Sequence, residues 1–391
     1  MIKNRVNVLF ICWGFSIHAK RRIRIFCDDP RFKVSVASTF DYQFSPANNV
    51  KLPSDCNVRE LPGYWNIFKT WWIAFKALVI LFTTVARIKP EVIFLHTLMF
   101  PCYLAYFLPK RIPIIITFWN GDVIWWAKWN GIERALKKKI VITGVRRANA
   151  ITVNSQMALD KCIEYGAPKE RISLIRYPGV NMALFKPKVK AASRKILNTQ
   201  YENILLWPRG LGGYLNSDIL LDAAPIIIKE FPKTQFIILS KVGESTIREF
   251  SDELKKRDIY NNFRFDSQVD HRLMPDYYNA ADAMITISSN DSLPNVMLES
   301  LSCGTPVIAG DIEQLREWIV NKHTGFLVPP RDHKILAETI LFIINNKNSK
   351  LVNAVIKNGL IRARKDADSR KNIPAIKQLV IDTATSANKL N

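Results

Sequence analysis

Short apolar runs alternate along the chain with stretches of helical periodicity. The first half holds Val6–Cys12, Phe32–Ala37, Val92–Leu95, Pro113–Thr117 and Ala150–Val153, and the second holds Asn203–Trp207, Gln235–Leu239, Ala283–Thr286 and Pro306–Ala309. Each run is brief, rich in β-branched residues and apolar throughout, the pattern of a strand covered on both faces. Helical segments between them make two successive βα series. The pattern therefore predicts an α/β protein with two doubly wound, Rossmann-like parallel-sheet domains. Lys186–Glu202, with Pro187, several lysines and little apolar periodicity, reads as a linker. The expected division is a domain over 1–185, a linker over 186–202, a domain over 203–365, and a C-terminal helix and tail over 366–391. Ligands of open α/β sheets bind beyond the C-terminal strand ends, so two such domains imply a central cleft between those edges.

Two segments invite a membrane reading. Residues 1–15 combine basic residues with the apolar run VNVLFICWGF. His18, Lys20, Arg21 and Arg22 follow with no small-residue cleavage site, so the run reads as a buried first strand rather than a leader. Trp71–Ala86 is apolar except for Lys76 and a few threonines. A spanning helix needs about 20 apolar residues, so this stretch is expected to pack on a sheet, with one aromatic face at lipid headgroup level.

Composition narrows the class. Apolar residues make up 48% and charged residues 23% of the 391 positions, which excludes a disordered scaffold. The cysteines (12, 27, 56, 102, 162 and 303) form no CxxC pair, so neither a disulfide framework nor a zinc–cysteine site is expected, and a reducing cytoplasm fits. Fifty-six Lys and Arg against 34 Asp and Glu give a net charge of +22, which favours anionic partners. The clusters Lys20–Arg22, Lys137–Lys139 and Arg146–Arg147 are short and separate, as a solvated basic surface would be. No nucleic-acid motif accompanies the charge, so nucleic acid is not an expected partner. Tryptophan is concentrated early, with Trp71, Trp72, Trp125, Trp126 and Trp129 beside basic residues, a composition suited to a membrane surface.

Ser288–Gly310, SSNDSLPNVMLESLSCGTPVIAG, carries the most chemistry. A strand ends near Ser288, a polar turn follows, Pro294 sits at a helix start, and Gly304 stops the helix before the next strand. Free amides around Leu293, Pro294, Asn295 and Val296, with Ser292, would form an anion site at a positive helix end. Asp291 and Glu299, eight positions apart, can present carboxylates to a polyhydroxylated ligand. The alternative is a cap at Asp291 or Ser292 with Glu299 on a solvated face. His18 and His96 follow strand ends and are candidates for the same edge, His271 and His323 are weaker candidates, and His333 reads as a surface residue. No histidine or acid cluster has metal spacing.

The block resembles the C-terminal signature of the large retaining glycosyltransferase family with the GT-B fold, known for its Glu-x7-Glu motif, here Asp291-x7-Glu299. The likeness continues through Cys303–Val307, Glu317 and His323–Pro330. In the first half it takes in Ser16–His18 with Arg21, Lys89–Ile93, Trp119–Asp122, Arg147–Asn149, Ser155 and Tyr177–Asn181. What the resemblance implies is an acceptor-binding N-terminal domain and a donor-binding C-terminal domain. Glu299 would hold the ribose of a nucleotide-diphosphate sugar, Asp291 the donor sugar hydroxyls, and the Leu293–Val296 amides with Arg209 the diphosphate. His18, His96, Trp119, Asn120 and Asp122 would lie on the acceptor side. The family implies no metal or other cofactor, retention of anomeric configuration, and work on a glycan or lipid-linked acceptor of a surface polysaccharide or glycolipid. The site would be cytoplasmic, at an anionic membrane face.

Several positions depart from the family pattern. No lysine stands soon after Arg209, where the sequence runs Tyr214-Leu215-Asn216-Ser217, and Lys241 is the candidate replacement. Asp291 replaces a glutamate, Trp119 stands where many members carry histidine and could stack on a sugar, and paired glycines are absent after the first strand. A nucleotide-sugar epimerase, or a nucleotide-sugar-binding module without catalysis, would share this architecture.

Overall fold

The computed structural model describes residues 5–13, 17–39, 56–61, 71–97, 102–119, 131–176, 179–239, 244–267, 269–291 and 293–388. The chain forms two compact units, Met1–Pro178 with Arg370–Asn391, and Gly179–Ser369.

In the first unit the strands are β1 (Val6–Trp13), β2 (Phe32–Thr39), β3 (Asn57–Leu61), β4 (Val92–Leu95), β5 (Ile114–Phe118), β6 (Ala150–Val153) and β7 (Ile172–Leu174). They form one parallel sheet in the order β3-β2-β1-β4-β5-β6-β7. Successive side chains of a strand point to opposite faces, so an all-apolar strand feeds two cores. On one face Leu9, Ile11, Ile93 and Ile116 lie under α2 (Trp71–Ile88) and α3 (Gly131–Arg147). On the other, Val8, Phe10 and Phe94 meet α1 (Ile17–Cys27) and Ile376, Val380 and Ala384 from the C-terminal end of the chain. A further helix, α4 (Gln156–Glu164), is capped by Ser155, whose hydroxyl accepts from the Ala158 amide.

The second unit has β8 (Asn203–Trp207), β9 (Thr234–Leu239), β10 (Phe263–Asp266), β11 (Ala283–Thr286), β12 (Val307–Gly310) and β13 (Phe326–Val328). Their order is β10-β9-β8-β11-β12-β13, again all parallel. The helices are α5 (Lys190–Ile196), α6 (Ser217–Glu230), α7 (Glu244–Lys256), α8 (Met274–Ala280), α9 (Asn295–Cys303), α10 (Glu313–Arg316), α11 (His333–Asn345) and α12 (Lys350–Asp366). Met297, Leu298 and Leu301 of α9 are buried against Ile204, Leu206 and Met284 of the sheet. At about 1.5–3 kcal/mol for each such side chain, this packing holds the helix start in place.

The fold class agrees with the sequence reading, and four details differ. The strands that escaped notice, β3, β7, β10 and β13, are the four sheet edges. β3 and β10 carry polar and charged residues, as edge strands can, and β7 and β13 are only three residues long, so the apolar signal of all four is weak. The expected linker contains α5, whose cations serve as latches. Lys188 Nζ lies 2.9 Å from Asp276 Oδ1, and Lys190 and Arg194 each reach Asp282 at 2.9 Å. The division falls at residue 178 rather than 185, because Phe185 is buried in the second core. The C-terminal segment forms the expected helix, α13 (Ser369–Asn388), and it belongs to the first unit.

Candidate active site

The strand order of the second unit reverses at β8. The chain runs outward through β9 and β10, then returns to lay β11 on the other side of β8. Loops leaving neighbouring strands diverge at such a point and open a crevice there. The loop after β8 carries Arg209 and the loop after β11 carries Asp291.

Local chemistry shapes both loops. Trp207 is buried, and its indole donates to the Gly210 carbonyl at 3.1 Å, turning the chain as β8 ends. Gly212 and Gly213 take φ of 82° and 53°, conformations that glycine adopts without strain. Asn216 is also left-handed, at φ 59°, and buried. Its side-chain amide donates to the Ile287 carbonyl at 2.7 Å and to Ser289 Oγ at 2.8 Å. The Ser289 amide answers with a bond to the Tyr214 carbonyl at 2.8 Å. The two loops are thus stitched together. At Gly310 a Cβ would stand 2.7 Å from the Ser288 carbonyl, so glycine on β12 is what lets the Asp291 loop run close.

Within this frame the Arg209 guanidinium donates to Asp291 Oδ2, and the Ser288 hydroxyl donates to the same oxygen at 3.0 Å. Arg209 also lies 5.9 Å from the Tyr214 ring centroid. Next along the chain, α9 begins after Pro294, whose ψ of 121° is extended, and no side chain among the described residues caps it. Among the described residues no acceptor engages the Asn295 and Val296 amides, whereas Met297 already bonds back to the Pro294 carbonyl. Unsatisfied first-turn amides and the helix dipole make this end attractive to an anion. The helix closes at Gly304, φ 73°, where the Thr305 amide bonds to the Ser300 carbonyl.

Glu299 lies on the second turn of α9 and is 7% exposed. Tyr278, from α8, donates its hydroxyl to Oε2 at 2.9 Å, and His271 Nε2 stands 2.9 Å from Oε1. Burial, reinforced by the Glu299 charge, pushes ionisation of the Tyr278 phenol well above its ordinary value. The same two causes push the Cys303 thiol up to about 12, leaving it a protonated core residue.

The predicted residues are distributed as follows. Arg209 and Asp291 form a direct pair, and Leu293, Pro294, Asn295 and Val296 lead into α9. Glu299 is tied to α8 and His271 rather than lying on a solvated face. Ser292 and Lys241 lie outside the described residues, as do Asn120 and Asp122. In the first unit, His18 falls in the first turn of α1 rather than in a loop. His96 is buried, and its carbonyl accepts from the Trp119 indole at 2.9 Å, so Trp119 has a structural partner. Lys20 and Arg22, expected on a solvated basic surface, are 1% exposed. Arg22 donates to Thr117 Oγ1 and lies 5.3 Å and 5.8 Å from the Phe94 and Trp119 rings. Tyr278, Ser288 and Asn216 escaped the sequence reading as site residues, and His271 stood there only as a weaker candidate. The paired tyrosines before Asp282 were the available trace of one of them.

A family profile described as Glycosyl transferases group 1 matches residues 189–362, and one described as Glycosyltransferase Family 4 matches residues 29–184. The first spans Arg209, His271, Tyr278, Asp291 and Glu299. The segment 189–362 is a group 1 glycosyltransferase segment. Among curated relatives, a D-inositol 3-phosphate glycosyltransferase of Thermobispora bispora is 30% identical over 224 residues, covering 54% of this chain and 51% of that one. Its counterpart in Thermomonospora curvata is 26% identical over 216 residues, 51% of this chain and 49% of that one. The chain thus spans about half the length of the curated relatives it matches. Solved structures resemble it over nearly the whole chain. HepE of Anabaena in complex with UDP gives a TM-score of 0.76 at 17% identity, covering 96% of this chain and all (100%) of that one. Sucrose-phosphate synthase of Thermosynechococcus elongatus gives 0.78 at 17%, covering 98% and 100%. The fold is GT-B.

Proposed function

We propose that the protein transfers a sugar from a nucleotide-diphosphate sugar to an acceptor hydroxyl with retention of configuration. The observation that carries this reading is the placement of Arg209 and Asp291 at the β8–β11 switch point, with the open amides of α9 following Asp291 in the chain. In this reading the diphosphate takes the Arg209 guanidinium from Asp291 and accepts from the amides of Asn295 and Val296. A planar, always charged guanidinium suits a leaving group whose charge grows as the glycosidic bond breaks. Asp291, released, accepts from donor sugar hydroxyls, while Glu299 accepts from the ribose. Lys241 supplies the second cation of the clamp, and no metal is required. The bond from the anomeric carbon to phosphate oxygen breaks with its electron pair going to the diphosphate. The acceptor oxygen bonds the same face, and its proton passes to the departing phosphate. The UDP and UDP-glucose complexes of HepE lend support to a nucleotide-sugar donor.

The acceptor in this reading is a glycan of a surface polysaccharide or glycolipid, carried on lipid at the cytoplasmic face of a membrane. Support comes from α2, where Trp72, Phe75, Val79 and Phe82 are 60%, 53%, 45% and 40% exposed. Their i, i+3, i+7, i+10 spacing makes one stripe, with Lys76 and Arg87 also exposed on the helix. An apolar stripe edged by cations on a protein of charge +22 suits an anionic lipid surface. Among the described residues no helix is long and apolar enough to cross a membrane.

A thermal-shift screen with UDP-, GDP- and ADP-sugars tests the donor site. Stabilisation by at least one is expected, and Glu299→Ala is expected to abolish it; an unchanged shift in that variant overturns the placement. Sugar release with and without acceptor separates transfer from epimerisation. Flotation with phosphatidylglycerol against phosphatidylcholine vesicles tests the α2 face, and binding to neither would remove it.

A further inference from the structure

Glu299 differs from Asp276 and Asp282, two other buried acids of the second unit, in how it is satisfied. Asp276 and Asp282 each have lysine or arginine partners, yet the two groups bonded to Glu299 are a phenol and an imidazole. The two donors differ in character. Tyr278 is 0% exposed, on a helix buried along its length, and Phe185 lies 6.1 Å from its ring. Its raised ionisation range keeps the hydroxyl proton in place, so Oε2 always meets a donor. His271 belongs to the segment before α8, and its side chain is 45% exposed. It can leave Oε1 by rotating toward water, at little cost beyond its contact with the Phe185 ring, 5.1 Å away.

A nearly buried carboxylate needs donors on both oxygens, because an unsatisfied charged group in a poorly solvated site carries a heavy penalty. Tyr278 covers one oxygen and His271 the other. We propose that Tyr278 is a positioning residue that fixes Glu299, and that His271 holds Oε1 as a displaceable stand-in for a hydroxyl of the bound nucleotide. This rests on the reading of Glu299 as the ribose-binding acid. The arrangement gives Glu299 a fixed orientation before the nucleotide arrives, so a ribose hydroxyl meets an oxygen already aimed at it. It also makes the nucleotide compete with an imidazole, so removing His271 should help binding and not harm it.

Calorimetric titration of the full chain with UDP, GDP and ADP, and separately with pyrophosphate, tests the pair. Pyrophosphate has no ribose and reports on the diphosphate groups alone. Tyr278→Phe is expected to weaken the preferred nucleotide about tenfold with pyrophosphate affinity unchanged. His271→Ala is expected to bind the nucleotide as tightly as wild type or about two- to fivefold tighter, again with pyrophosphate unchanged. Glu299→Gln is the reference and is expected to lose at least as much as Tyr278→Phe. If Glu299→Gln loses nucleotide affinity and Tyr278→Phe does not, the positioning role fails while the ribose assignment stands. If His271→Ala weakens the nucleotide as much as Glu299→Gln, His271 is a ligand and not a stand-in. Equal losses for nucleotide and pyrophosphate in Tyr278→Phe mark a merely structural role. If Glu299→Gln changes nothing, or no nucleotide binds wild type, the donor reading falls and this inference with it.

Discussion

The two units reverse their strand order in the same way, at β1 and β4 in the first and at β8 and β11 in the second, yet they treat that position in opposite fashion. In the first unit the described groups near it are turned on each other. His96 gives its carbonyl to Trp119, and Arg22 is sandwiched among Phe94, Trp119 and the Thr117 hydroxyl. In the second unit the loops hold a guanidinium against an acid, and α9 presents amides that have no acceptor among the described residues. The same reversal of strand order thus delivers mutual packing in one case and an ion pair followed by a helix start in the other. Fold supplies a position, and side chains decide its use.

Arg209→Ala probes the comparison most severely. Transfer from a nucleotide sugar is expected to fall about 10²–10³-fold, the loss found when a preorganised charge-stabilising donor is removed, and initial rates at saturating donor would measure it. A fall of less than about threefold would place the diphosphate elsewhere. Arg22→Ala is the counterpart in the first unit. Losing a buried donor and its ring contacts is expected to cost about 1–3 kcal/mol in urea unfolding, with nucleotide affinity unchanged. Should nucleotide affinity drop in that variant, the contrast between the units would not hold.

The smallest effect concerns pH and the latch at α5. Burial alone would raise the Asp282 carboxyl, but Lys190 and Lys347, with a bond from the Ile204 amide, outweigh it and hold its pKa below the ordinary value of 3.8. A folded-state pKa lower than the unfolded one means that the unfolded chain binds more protons in acid. The contribution is therefore present above the ordinary aspartate value and fades as pH falls through and below it. Wild type is expected to lose a few degrees of melting temperature below about pH 4, and Asp282→Asn to show a flatter acid limb from a lower neutral value. Parallel acid limbs in the two proteins would separate Asp282 from the effect.

Much of this architecture was readable from local pattern. The nine strands noticed as apolar runs are all present within a residue or so, and the Ser288–Gly310 block forms the strand, turn, helix and strand expected of it. The edges were not readable, β3 and β10 because a strand with a neighbour on one side alone can carry polar residues, β7 and β13 because three residues are too short a run. Composition misled at Lys186–Glu202 and at Lys20–Arg22. Lysines and arginines look solvated in a sequence, yet Lys190 and Arg194 reach the buried Asp282, and Arg22 lies inside the core.

Periodicity, turn residues and an ordered set of short motifs are local properties, so the amino-acid order alone carried the α/β class, the parallel sheets and the family resemblance. Charge pairing is not local. Arg209 and Asp291 are 82 positions apart, and Glu299 meets partners 21 and 28 positions away. Such pairs exist because β11 inserts beside β8 and α8 packs on α9, and a strand's place in a sheet depends on the whole set of apolar faces being buried together. Which acid receives a guanidinium and which a phenol was decided there.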